Sequence, residues 1–275
     1  TTRGRGYRLK GYEIPEGSRQ SKGMNVVNLL PLEEGERVSV MIRVPEFESG
    51  EYYLCMATKN GIIKRTELDA YKNIRKNGVI AINLDDDDEL AWVKLTMGDD
   101  DLLVATRDGY SIRFNENDAR PIGRTARGVK AIELREGDKV VGMDVITDES
   151  FVLTVTETGY GRRSPGDEYR CQSRGGKGLT NYHTEKNGDV AAIELVNPED
   201  DLMLISSDGI IIRIPIGGER GIRLCARPSK GVRVMKVTEG EKLITAVAVK
   251  NEGEPAESAE PADEDSEDTE VTAEE

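Results

Sequence analysis

The chain has 275 residues, 37% of them hydrophobic, and sets 38 basic against 52 acidic side chains for a net charge of -14. This length is enough to bury a substantial core in one large or two ordinary domains. No stretch approaches the roughly eighteen apolar residues of a membrane span, and "TTRGRGYRLKGYEI" at the start lacks the apolar centre of a secretion signal.

The charge is unevenly placed. Residues 251–275 hold 12 acidic side chains and no Lys or Arg, leaving 38 basic against 40 acidic in residues 1–250. The 251–275 segment is poor in apolar residues and rich in Glu, Pro and Ala, so it is expected to be a disordered acidic tail. Three widely spaced cysteines, Cys55, Cys171 and Cys225, argue against a disulfide framework or zinc cage and fit a reducing, cytoplasmic setting.

In chain order, the N-terminus reads as the turn and last strand of a β-hairpin without the apolar strand that should precede them. A basic turn follows, "SRQSKG", with Arg19 and Lys22 and a glycine at 23. Next, "YYLCMA" leads through the Asn-Gly turn of "ATKNGIIKR" into a strand carrying Lys64 and Arg65. Both signals then recur. Further basic turns are "NIRKNG" with Arg75 and Lys76, "GRTARG" with Arg124 and Arg127, "SRGGKG" with Arg174 and Lys177, and "ARPSKG" with Arg227 and Lys230. Their glycines, Gly23, Gly78, Gly128, Gly178 and Gly231, are 55, 50, 50 and 53 residues apart. The hairpin glycines, Gly61, Gly109, Gly159 and Gly209, are 48, 50 and 50 apart, and the strands after the last three carry Arg113, Arg162 with Arg163, and Arg213.

Two markers keeping one period define a repeat. Each unit reads as a basic turn and four short strands in series: a run such as "VIAINL", a run such as "VVGMDV", and the two strands of the hairpin. A sheet of that size cannot stand alone, so units stack, and a ring of blades removes their edges. The expectation is an all-β, propeller-like assembly of about five to six four-stranded blades over residues 1–250, with repeats near 1–14, 15–71, 72–119, 120–169, 170–219 and 220–250. The half-hairpin at the start further suggests a fragment of a longer chain.

A single Arg on a strand edge reads as a solvated guard against aggregation. Cations recurring once per blade instead form a band that matches a curved phosphate backbone, with a salt slope of about -0.9 per phosphate contact. Gly175, Gly176 and Gly178, lacking a Cβ, would let backbone N–H groups approach phosphate beside Arg174 and Lys177. No base-reading set is evident and aromatic content is 5%, which favours duplex DNA recognised by backbone and bendability over single strands. Catalysis finds little support: His183 has no nucleophile or metal-ligand partner nearby, and "DDDDE", Asp85 to Glu89, stands where other units have polar turns. No cofactor or metal site is expected.

With Gln172 before it, "QSRGGKG" resembles the glycine-rich box of the DNA gyrase A C-terminal domain family, with Ser173 where that family usually has a second Arg. "GMNVVNLLPLEEGERV" and "CMATKNGIIKRTELDAY" resemble it too, as do the fifty-residue period and acidic tail. The resemblance implies a β-pinwheel, whose blades exchange strands, wrapping double-stranded DNA on a basic perimeter and supporting ATP-dependent negative supercoiling. It also implies a nucleoid-associated location and partners in the gyrase A cleavage core and the gyrase B protein, where ATP, magnesium and the active tyrosine would act. The isolated domain is expected to be monomeric. In that family the box lies in the first of six repeats, whereas here it is in the fourth basic turn, which suggests that a box-bearing repeat lies upstream. The related topoisomerase IV domain, which lacks a good box, and a propeller-like protein-interaction scaffold are the alternatives.

Overall fold

A computed structural model describes residues 1–18, 20–44 and 52–251. Arg19 and almost all of the acidic tail lie outside them. Seventeen strands run along the described chain. The first four are β1 (Arg5–Gly6), β2 (Tyr53–Thr58), β3 (Ile62–Glu67) and β4 (Val79–Ile80), followed by β5 (Leu90–Thr96), β6 (Asp101–Thr106), β7 (Tyr110–Asn115) and β8 (Val129–Lys130). Next come β9 (Val140–Ile146), β10 (Phe151–Thr156), β11 (Tyr160–Pro165), β12 (Leu179–Thr180) and β13 (Val190–Val196). The last are β14 (Asp201–Ser206), β15 (Ile211–Pro215), β16 (Val232–Arg233) and β17 (Leu243–Val249).

The antiparallel sheets have the orders β5-β2-β3-β8, β9-β6-β7-β12, β13-β10-β11-β16 and β17-β14-β15, beside a two-stranded β1-β4 ladder. The expected count of five to six four-stranded blades is therefore corrected to four blades, three of them four-stranded, plus that ladder. Residues 37–44 form no strand, and β1 is paired with β4 alone.

The order within a blade also departs from four runs in series. A central hairpin such as β6-β7 pairs on one side with the seven-residue strand that follows it in the chain, β9. On its other side it takes the two-residue strand that follows the next hairpin, β12, with Leu179 opposite Ser111 and Thr180 opposite Tyr110. The short strand that follows each hairpin is thus lent to the blade before, which is the strand exchange that the family resemblance implies.

The sequence determines this locally at two points. Thr58, Thr106 and Thr156 accept a turn hydrogen bond from the N–H of Ile62, Tyr110 and Tyr160, closing each hairpin. Gly178, at φ +71, sits so tightly on β7 that a Cβ there would lie 2.4 Å from the Ser111 carbonyl oxygen, so the lent strand docks only behind a glycine.

The long strands β5, β9, β13 and β17 stand side by side at the inner end of the blades, and the short strands form the outer end. The core lies between blades: Leu103 and Ala105 of one pack with Val152 and Ile193 of the next, and Leu153 and Val155 with Leu202, Leu204 and Ala246. The last blade has no outer strand among the described residues, and Ile210 and Ile211, which would receive one, are 46% and 59% exposed.

Candidate nucleic-acid interface

The outermost element of each complete blade is a short strand that begins just after the glycine of a basic turn, so the basic turns lie on the perimeter. The structure divides the cations expected there into three groups.

The first is interior. In a strand, neighbouring side chains face opposite sides of the sheet, so the positions three and four residues past the hairpin glycine cannot share one surface. The third position is Lys64, Ile112, Arg162 and Ile212, and Lys64 and Arg162 are both 0% exposed. The Lys64 ammonium donates to the Ala81 carbonyl at 2.5 Å and to that of Arg124, and burial, with the Arg124 charge second, pulls its pKa down to about 8. Arg162 donates from Nε to the Ser229 carbonyl at 3.0 Å and from Nη2 to Asn181 Oδ1 at 3.0 Å, and its other donors meet Ser164 and the Asn181 carbonyl.

The fourth position is Arg65, Arg113, Arg163 and Arg213, and each has a fixed partner. Arg65, 2% exposed, stands 2.9 Å from Glu116, which is wholly buried and also accepts from Thr96 Oγ1 and the Gly98 and Asp100 N–H groups. The Arg65 guanidinium stacks 3.8 Å from the centre of the Tyr53 ring. Arg113 bridges Asp101 at 2.8 Å and Asp148 at 2.6 Å, and Arg163 donates to the Ile222 carbonyl at 2.8 Å. Arg213, on the surface, pairs with Asp201 at 2.8 Å. The expectation that the fourth strands carry DNA contacts is therefore corrected for Lys64, Arg65 and Arg162, which have no open surface, while Arg113 and Arg163 are engaged internally.

The second group is tied into the perimeter. Arg174 donates from Nε to the Asp118 carbonyl at 2.9 Å and from Nη1 to the Lys130 carbonyl at 3.0 Å. Arg227 donates to the Thr180 carbonyl and lies 5.5 Å from the Tyr169 ring centre. Arg124 is half-buried. The glycines of the box are structural as well: the Gly175 N–H donates to the Ala131 carbonyl at 2.6 Å, and Gly178 is required by close packing. Neither is an open phosphate cradle. Gly176 is exposed, and Gln172, half-buried, leaves Nε2 without a hydrogen-bond partner.

The third group is open. Lys22, Arg75, Lys76, Lys177 and Lys230 are exposed on the basic turns, as is Arg127, which pairs with Asp85. Lys22, Arg127, Lys177 and Lys230 occupy the same place, one residue before the turn glycine.

Two sets of cations escaped the sequence analysis. Lys72, Arg120, Arg170 and Arg223 are exposed, and each follows a buried residue, respectively Tyr71, Ala119, Tyr169 and Ile222. Their signal was available, since the first three lie 11 residues past the hairpin glycine in three successive units. The other is Arg233 beside Lys230: the Lys230 ammonium stands 4.1 Å from the Tyr160 ring centre, and Arg233 donates to Tyr160 Oη at 2.9 Å. These contacts, that of Arg233 first, hold the Tyr160 hydroxyl below the usual tyrosine range.

Away from the perimeter, no group of three or more metal-ligating side chains is gathered among the described residues, and no helix there is long and apolar enough to cross a membrane. On the inner strands, Lys94, Asp144 and Glu194 occupy equivalent register positions, with Lys94 2.8 Å from Asp144. Burial, then the Asp144 charge, pushes the Glu194 carboxyl up to about 7.

Comparison with known proteins gives one family. The DNA gyrase C-terminal domain, beta-propeller, matches residues 1–45, 52–97, 100–147, 150–197 and 200–250. The DNA gyrase A protein of Clostridium acetobutylicum is 56% identical over 128 residues, 46% of this chain and 15% of that protein. That of Staphylococcus epidermidis is 53% identical over 128 residues, 46% of this chain and 14% of that protein. The match thus spans only a small part of the length of these relatives. Among solved structures, the C-terminal domain of DNA topoisomerase IV superposes with a TM-score of 0.82 at 26% identity, covering 90% of this chain and 77% of that one. The DNA gyrase A C-terminal domain superposes with a TM-score of 0.75 at 25% identity, covering 90% and 80%.

Proposed function

The chain belongs to the DNA gyrase C-terminal domain family, and on that premise we propose that it binds duplex DNA and wraps it along the outer ends of its blades. The observation that carries this function is the placement of Arg75, Lys76, Arg127, Lys177 and Lys230 in turns that lead into the outermost strands of successive sheets. Lys72, Arg120, Arg170 and Arg223 add a further exposed cation to each of these segments. Cations repeated at blade spacing meet phosphates at intervals along a bent duplex, without a demand on base identity. In a gyrase holoenzyme the wrapped segment would be handed to the gyrase A cleavage core, with gyrase B supplying the ATPase and magnesium serving those parts.

The test is binding to relaxed circular plasmid over a salt series, followed by topoisomerase I relaxation and a readout of retained writhe. Steeply salt-dependent binding with trapped writhe is expected. Failure to bind at low salt would overturn the proposal. The topoisomerase IV domain superposes with the higher TM-score, and this favours a second reading, a topoisomerase IV type of domain that bends DNA without a stable wrap. Binding without trapped writhe would select it.

A further inference from the structure

Two arginines at one repeat position are held in the same way. Arg174 lies four residues before Gly178, and Arg227 four before Gly231. Their backbone N–H groups donate to the carboxylates of Asp118 at 3.2 Å and Glu168 at 2.5 Å, each nine residues past its hairpin glycine. The Arg174 guanidinium then reaches the carbonyl of Lys130, in β8, from a turn that docks on the next blade. The Arg227 guanidinium reaches the carbonyl of Thr180, in β12, again one blade back. Each arginine therefore fastens the basic turn of one blade to the outer strand of the blade before it. From the interior, Lys64 and Arg162 make parallel links to the carbonyls of Ala81 and Asn181, each three residues past a basic-turn glycine. Lys177 and Lys230, on the same two turns, have no carboxylate partner among the described residues.

A planar guanidinium that spans two carbonyls, as Arg174 spans those of Asp118 and Lys130, is fixed in direction, and a lysine cannot reproduce that fork. We propose that Arg174 and Arg227 are positioning residues that set the angle between neighbouring blades along the perimeter, while phosphate contact at these two turns is made by Lys177 and Lys230. This rests on the DNA-wrapping function above. The number of phosphate contacts sets the salt slope, whereas the blade angle sets the path of the DNA, so the two roles separate experimentally.

The experiment compares Lys177→Ala, Arg174→Ala and Arg174→Lys in the full chain, measuring the salt slope on relaxed plasmid and the writhe retained per bound protein. Lys177→Ala should make the slope shallower by about 0.9, the loss of one contact, with writhe per bound protein unchanged. Arg174→Ala and Arg174→Lys should keep the wild-type slope and lose writhe together. A slope lowered by about 0.9 in Arg174→Ala, with writhe restored in Arg174→Lys, would make Arg174 a phosphate contact and overturn the assignment. If the wild-type chain binds no plasmid, the DNA-wrapping function fails instead, and the tie is read without DNA by hydrogen exchange. The Gly175 and Glu133 amides, which join this turn to the chain beyond β8, should exchange about tenfold faster in Arg174→Ala. Unchanged exchange there overturns the tie.

Discussion

Arg65 and Lys177 both belong to sets of cations placed once per repeat, yet they live in different media. Arg65 is sealed between a carboxylate and an aromatic ring, and Lys177 stands in solvent beside two glycines. A charge taken out of water must be repaired on the spot, so Arg65 is paired with Glu116, and Lys64 and Arg162 are surrounded by oxygen acceptors. A charge left in water needs no partner and remains available to a polyanion. Recurrence alone therefore does not mark an interface, and the proposed one rests on recurrence in the exposed turns before the outer strands.

Substitutions at the two regions should separate stability from DNA binding. The largest effect is expected for Arg65→Ala, which strands the buried Glu116 carboxylate: a loss of about 3–5 kcal/mol in urea unfolding. If that variant stays fully stable and loses DNA binding instead, the interior assignment is wrong. Glu194→Gln comes next. The Glu194 pKa is raised from 4.5 to about 7, so the contribution of this group is fully present below pH 4.5 and is lost as pH rises through 7. The variant should flatten the pH dependence in that window and be more stable than wild type above pH 7, by up to about 3 kcal/mol; denaturant midpoints on either side of the window decide it. Arg213→Ala breaks an exposed pair with Asp201 and should cost less than about 1 kcal/mol. The smallest stability change, within about 0.5 kcal/mol, is expected for Lys230→Ala, yet its DNA salt slope should drop by about 0.9. A Lys230→Ala protein with wild-type slope would remove that turn from the interface.

The repeat was legible because its markers are forced. Gly109 and Gly178 each face a neighbouring carbonyl at a distance no Cβ could keep, 2.2 Å for Tyr182 and 2.4 Å for Ser111, so the chain prints a glycine at each such crossing. The apolar strands and basic turns were legible for the same reason: each answers to local geometry. The partner of each strand was not. Leu179–Thr180 is two residues long, and nothing in its pattern tells that it crosses to β7 rather than joining the hairpin just before it. The buried cations were legible in part, since the alternation of a strand already separates Lys64 from Arg65 and Arg162 from Arg163. That alternation places them on opposite faces but leaves unsaid that both faces are covered by neighbouring blades. The roles of Arg174 and Lys177 diverge for a similar reason: they lie three residues apart in one turn, and the contacts to Asp118 and to the β8 carbonyl of Lys130 distinguish them.

The strand lent by each unit to the blade before it also fixes an order in time. As the chain is synthesised from its N-terminus, the hairpin β6-β7 can form as soon as Asn115 has been made, but its outer strand does not exist until Leu179 and Thr180 follow. The sheet closes only after the next hairpin, β10-β11, has been made, and Lys177, whose turn precedes that strand, arrives with the closure. On a translating ribosome the proposed nucleic-acid surface should thus mature blade by blade, each outer strand arriving well after the hairpin it completes.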